Sequence, residues 1–237
     1  MPTASHHASS TSAASRAAPR VDLRVYALLD PERAGGKPLP VLAEAIARGG
    51  ATLVQLRDKH GSTREMIERA RAIKAALAPF HVPFLVNDRV DVALAAGADG
   101  VHVGWDDMTP ADARRLLGPG AIIGLSVKTP AQADAADIAA LDYVCIGGVF
   151  ATQSKDNPDP PIGVGGLQAL VARIRQRDPA LAVGAIAGID ASNAAAVVGA
   201  GAEGVAVISA LTLAPDPEAA TRELRQVVDR ARGEARA

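Results

Sequence analysis

The chain has 237 residues, 49% hydrophobic and 22% charged, with a formal net charge of −1. That length and apolar content suffice for one α/β barrel or two small domains. A near-neutral charge without a basic block excludes general nucleic-acid or anionic-membrane binding, and no apolar run is long enough to span a bilayer. The one cysteine, Cys145, excludes an intrachain disulfide; inside an apolar run it reads as a buried structural thiol.

Residues 1–20 are rich in Ala and Ser, contain His6-His7, and lack both acidic residues and the apolar core of a secretory signal. They read as a disordered tail with little to bury, followed by a single domain over 21–237 and a cytoplasmic location.

Residues 21–29 alternate as a first strand, with Val21, Leu23 and Val25 on one face. A Pro/Gly loop leads to a helix over 39–48, stopped by Gly49-Gly50, and 51–56 form the second strand. Ser62 and Glu65 make a capping box. The helix behind it has Met66, Ala70, Ile73 and Leu77 as its inner stripe and ends at Pro79. Strands over 82–86 and 100–103 flank a helix that stops at Gly97. Thr109-Pro110 and Thr129-Pro130 start two further helices, the second with a capping box to Gln132, around a strand at 121–125. Strand six covers 143–147. The Pro/Gly-rich stretch 151–165 excludes a regular element, and a helix then runs to about Gln176. Strands at 182–185 and 203–208 enclose a helix containing 193–198, and Asp216-Pro217-Glu218 opens the last helix.

Eight strands, each followed by a helix, argue for a closed (β/α)₈ TIM barrel. An internal echo supports it: Ala96-Gly97-Ala98-Asp99-Gly100-Val101 recurs as Ala200-Gly201-Ala202-Glu203-Gly204-Val205, four βα units later. Its physical content is a helix stop followed by a tight start to a strand.

In this fold the C-terminal strand ends build the site. The first strand offers little beyond Asp30. The second offers Gln55, Arg57 and Lys59, alternate residues that share a face and fit a phosphorylated ligand. The competing reading is a solvated cation pair answered by Asp58. Asn87-Asp88 and Asp107 end strands three and four. Parallel neighbours put the two carboxylates on one rim, where they suit a hard divalent cation such as Mg²⁺. On spacing alone each aspartate is equally good as a helix cap. Strand five offers Ser126 and Lys128, and the long loop offers Thr152, Ser154 and Lys155. Gly188 and Ser209 follow strands seven and eight, the fold's usual phosphate position. Together these imply two anionic ligands, one a metal-bound diphosphate and the other a monophosphate.

The ordered set of motifs resembles the thiamine-phosphate synthase family from about Val25 to Leu211. It comprises Gln55-Leu56-Arg57-Asp58-Lys59, Val86-Asn87-Asp88-Arg89, the Gly97–Gly104 stretch, Gly124-Leu125-Ser126, Thr152-Gln153-Ser154-Lys155, Pro161-Ile162-Gly163, and the Gly201–Ser209 stretch. The resemblance implies a transferase of thiamine biosynthesis. It would join 4-amino-2-methyl-5-hydroxymethylpyrimidine diphosphate to 4-methyl-5-(2-phosphoethyl)thiazole, or its carboxylated form. Thiamine phosphate and diphosphate would leave, by way of a pyrimidine-methyl cation. It implies that Asp88 and Asp107 bind Mg²⁺. Gln55, Arg57, Lys59, Asn87 and Lys155 would hold the pyrimidine diphosphate, and Ser126 would contact the pyrimidine and the leaving group. Thr152, Ser154, Gly188, Ile208 and Ser209 would hold the thiazole phosphate. Arg57, Lys59, Ser126 and Lys155 would carry the catalysis.

The chain departs from the family pattern at Trp105 (Gln expected), Lys128 (His in many relatives), Gly148 (Pro), Ser154 (Thr) and Ala187 (Gly). A thiazole tautomerase-like paralogue and a non-catalytic phosphate-ligand sensor are the rival readings. The first needs a proton-transferring His but no diphosphate machinery; the second would have lost Asp88, Asp107 or Lys155. The partners expected are small molecules, with no nucleic acid and no membrane; a homo-oligomer is compatible with the sequence.

Overall fold

The computed structural model describes residues 21–154 and 159–233. The expected tail and Lys155 lie outside them. Eight parallel strands close into a barrel in sequence order: β1 (Val25–Leu29), β2 (Leu53–Leu56), β3 (Phe84–Asn87), β4 (Gly100–Val103), β5 (Ile122–Val127), β6 (Tyr143–Ile146), β7 (Ala182–Ile186) and β8 (Gly204–Val207). The ring closes where Val25, Tyr26 and Ala27 of β1 pair with Val205, Ala206 and Val207 of β8.

The intervening helices are α1 (Leu39–Arg48), α2 (Thr63–Leu77), α3 (Val90–Ala96), α4 (Pro110–Leu117), α5 (Pro130–Ala135), α6 (Gly163–Arg177), α7 (Ala194–Gly199), α8 (Ser209–Thr212) and α9 (Pro217–Ala231). In α2 the predicted stripe is the buried one, since Met66, Ala70, Ile73 and Leu77 all lie against the barrel. Burying Ile73 or Leu77 contributes about 1.5–3 kcal/mol each. The Ser62–Glu65 box forms in both directions. At α5 the box is offset: Thr129 caps Gln132 N, but Gln132 Oε1 accepts from Lys128 N at 2.7 Å, one residue ahead of the cap.

Two apolar layers result. The larger lies between the strands and the outer helices. The smaller fills the barrel and includes Val21, Leu23, Tyr26, Leu28, Leu53, Leu85, Tyr143 and Cys145, the last a buried thiol in no disulfide, as expected. The expected single face of Val21, Leu23 and Val25 is broken. A turn at Arg24 shifts the alternation by one residue, so Val25 faces the helices and Tyr26 the interior.

The internal echo has a steric reason. Gly100 and Gly204 begin β4 and β8, and a Cβ on either would sit within 2 Å of a neighbouring backbone oxygen, of Ile122 and Leu23 respectively. Two further readings need correction. α6 begins at Gly163, inside the stretch expected to be irregular, and Ser209–Thr212 forms the short helix α8 where only a strand end was expected. Glycine content and shortness hide both from periodicity.

Candidate active site

The C-terminal strand ends gather the expected residues into two flanks with a polar floor between them. On the first flank Gln55 and Arg57 line a narrow slot of about 40 Å³, together with Asn87 and Ser126. Arg57 is ion-paired with Asp30, a buried carboxylate at the end of β1, and Lys59 with Asp88. Asp58 answers neither cation, contrary to the competing reading. It turns away to bind Gly61 N at 2.8 Å and Arg69 at 2.5 Å, fixing the loop into α2.

Neither Asp88 nor Asp107 is a helix cap. Position 89 precedes α3 without a side-chain cap, and Thr109 caps α4. Asp88 adopts φ 60, a left-handed conformation that aspartate tolerates better than most residues. Its carboxyl lies within hydrogen-bonding reach of the Asp107 carboxyl. Burial raises the Asp88 pKa above the ordinary carboxylate range; Asp107 adds to the rise and Lys59 opposes it. Asp107 is anchored by Gly104 N at 2.8 Å.

Facing hard-oxygen donors of like charge have the chemistry to hold a hard divalent cation. Among the described residues no third acidic, His or Cys side chain joins them. Two carboxylates suit Mg²⁺, which commonly takes its remaining ligands from substrate phosphates and water. Arg89, next in the chain, serves the scaffold instead, tying Asp91 of α3 to Thr63 of α2.

The second flank is a cavity of about 530 Å³ lined by Thr152, Ser154, Gly188, Ile208 and Ser209. Ser154 Oγ lies 2.7 Å from Ser209 Oγ, and Ser154 N donates to Thr152 Oγ1 at 3.1 Å. A Cβ on Gly188 would come within 2.4 Å of Ala151 O, so the β6 and β7 loops meet only because this residue is glycine. Ala187 beside it holds φ 98, a conformation that favours glycine, and carries the strain of the Gly-to-Ala departure. Gly148 sits at φ 74, which proline cannot adopt.

The floor contains residues to which sequence reasoning gave no role. Gln55 Nε2 donates to Tyr26 Oη; Tyr26 Oη lies 2.9 Å from Tyr143 Oη; Tyr143 Oη lies 2.8 Å from His102 Nδ1; His102 Nε2 lies 2.9 Å from Ser126 Oγ. Gly124 makes this possible, because a Cβ there would stand 2.1 Å from the Tyr143 ring. The available signal was parity: in a barrel, polar residues at inward strand positions face one another. Lys128 packs its stem over Gly147, and Trp105 lies part-exposed on the rim. A larger cavity, about 650 Å³, lies at the opposite end of the barrel around Lys74, His81 and Asp99, away from every residue above.

The family model for thiamine monophosphate synthase matches residues 25–211. A thiamine-phosphate synthase of Agrobacterium fabrum is 55% identical over 212 residues, covering 90% of this chain and 96% of its own length. One of Xanthobacter autotrophicus is 47% identical, covering 89% and 98%. The solved thiamine phosphate pyrophosphorylase of Pyrococcus furiosus superposes with a TM-score of 0.76 at 37% identity, covering 90% of this chain and 98% of that one. By motif order, barrel architecture and these likenesses, the chain belongs to the thiamine monophosphate synthase family.

Proposed function

We propose that the chain condenses the aminopyrimidine diphosphate with the thiazole phosphate to give thiamine phosphate and diphosphate. The observation that carries this reading is the pairing of two unlike anion sites across one polar floor. One flank has Arg57, Lys59 and two facing carboxylates; the other has mainly hydroxyls and backbone N–H groups, with Arg33 at its edge.

On this reading Asp88 and Asp107 would hold Mg²⁺, which would supply positive charge for a departing diphosphate. Arg57 and Lys59 bind its oxygens, and Lys155 joins them from the loop after β6. Arg57 and Lys59 each carry several N–H donors, so phosphate oxygens can join the existing ion pairs while the buried Asp30 keeps its partner. Gln55, Asn87 and Ser126 orient the pyrimidine. The slot between them is smaller than a pyrimidine ring, so rim side chains turn aside as it binds.

Thr152, Ser154, Gly188, Ile208 and Ser209 hold the thiazole phosphate, whose ring nitrogen attacks the pyrimidine-methyl cation once diphosphate has left. The reaction needs no enzymic nucleophile; alignment and charge stabilisation are the protein's tasks.

Diphosphate release measured with both substrates tests the reading. Release should require both and stop with EDTA. Turnover indifferent to chelation would remove the metal assignment, and no product from the two substrates would remove the activity.

A further inference from the structure

The buried chain from Gln55 to Ser126 has more order in it than a list of contacts. It lies between strands β2, β1, β6, β4 and β5, in that sequence, and so crosses the barrel from one side of the slot to the other. Gln55, Tyr26, Tyr143 and His102 are all nearly inaccessible to solvent. Burial raises the ionisation of both phenols far above their ordinary range, so each keeps its single proton at any working pH.

A phenol has one proton to donate, and that constraint runs down the line. Gln55 Nε2 donates to Tyr26. Tyr26 then donates its proton to Tyr143, and Tyr143 in turn donates to His102 Nδ1. With Gln55 Nε2 as the first donor, reversing any single link would put two protons, or none, between neighbouring atoms; the whole line reverses only if the Gln55 amide turns over. His102 therefore carries its proton on Nε2 and donates it to Ser126 Oγ. Two groups are left over at the ends of the line, each on a residue that lines the slot. One is Gln55 Oε1, the single buried side-chain polar atom without a partner among the described residues. The other is the hydroxyl proton of Ser126, which lines the same slot.

We propose that Tyr26, Tyr143 and His102 are positioning residues. They form a one-way hydrogen-bond chain that fixes Gln55 as an acceptor and Ser126 as a donor, so that the slot reads an amino group beside an unprotonated ring nitrogen. A 4-aminopyrimidine offers that pattern, whereas its 4-oxo counterpart offers the opposite one, a carbonyl oxygen beside a ring N–H. The ligand half of this inference rests on the function proposed above; the arrangement of protons does not.

The two halves have separate tests. ¹⁵N NMR of the full-length protein without ligands, with the His102 signals assigned by a His102→Gln variant, reads the tautomer directly. A proton on Nε2 and a bare Nδ1 are expected; a proton on Nδ1 would overturn the chain. Competition between the aminopyrimidine diphosphate and its 4-oxo analogue reads the selectivity, expected to be at least about 100-fold in favour of amino for the unaltered protein.

Tyr143→Phe should cut that ratio about tenfold or more, with the KM for thiazole phosphate within about twofold of the parent. Tyr26→Phe should cut the ratio similarly, by freeing the Gln55 amide to turn over, while His102 keeps its Nε2 proton. A parental ratio in either variant would overturn the proposal. If the tautomer is as expected but no transfer occurs with either pyrimidine, the function proposed above fails and the proton chain stands.

Discussion

On the proposed reading, the two flanks of the mouth solve one problem, holding phosphoryl oxygens, in different ways. The flank at β2–β4 is built of ion pairs, Arg57 with Asp30 and Lys59 with Asp88, beside the facing pair Asp88 and Asp107. Among the described residues, the flank at β6–β8 supplies mainly hydroxyls and backbone N–H groups around Thr152, Ser154, Gly188 and Ser209, with Arg33 and Asp190 the charged residues lining its cavity. The difference follows the chemistry. A diphosphate that departs gains charge in the transition state and needs counter-charge there. A phosphate that only anchors its substrate gains no charge during the reaction, so a mainly neutral set of donors suffices.

Changes that attack the charged flank should therefore act on the rate. Asp88→Ala or Asp107→Ala should lower turnover by about 100-fold or more at limiting Mg²⁺, with thiazole phosphate affinity nearly unchanged. Wild-type turnover in either variant would remove that residue from the metal site. Changes on the neutral flank should act on binding. Ser209→Ala should raise the KM for thiazole phosphate about tenfold and leave kcat at saturation close to the parent, the split expected for loss of uniform binding. A fall in kcat with unchanged KM would place Ser209 on the reacting side.

Stability separates the flanks too. Burial pushes the Asp58 carboxyl up, but the Gly61 and His60 N–H groups and Arg69 together hold it below the ordinary carboxylate range. Its folded pKa lies below its unfolded one, so its contribution is present above the unfolded value near 3.9 and lost as pH falls through the folded one. Asp58→Asn should cost about 1–2 kcal/mol at pH 7, with the gap to the parent closing as pH falls below the ordinary carboxylate range in thermal melts. A gap that stays constant with pH would show that packing, not charge, is at stake. On the neutral flank Ala187→Gly should stabilise by about 0.5–1 kcal/mol by releasing the strain at φ 98, at every pH. A destabilised variant would mean that the methyl group's packing outweighs its backbone cost.

The charged flank was the more legible in the sequence. Gln55, Arg57 and Lys59 announce a shared face through period-two spacing. The β3–α3–β4 unit brings Asp88 and Asp107 together by topology alone, with β4 bounded as expected at 100–103. The spacing left each aspartate as good a cap as a ligand; the Thr109 cap on α4 and the lack of a side-chain cap on α3 decide against capping.

The floor was illegible for a physical reason. Tyr26, Tyr143 and His102 sit on short strands whose inward parity depends on where each strand begins. The turn at Arg24 shifts β1 by one residue, which turns Tyr26 inward and breaks the single face expected for Val21, Leu23 and Val25. The ion pair between Arg57 and Asp30 spans 27 residues of sequence and is made by the β1–β2 pairing, which no local pattern reports.

The contrast between flanks rests on metal dependence being confined to one of them. Calorimetric titration of inorganic diphosphate and of thiazole phosphate, each with Mg²⁺ and with EDTA, tests that directly. Diphosphate should bind about tenfold or more tightly with Mg²⁺, while thiazole phosphate should bind equally well in both conditions. Equal diphosphate affinity with and without Mg²⁺, or a thiazole phosphate affinity that falls with EDTA, would contradict the assignment of the two flanks.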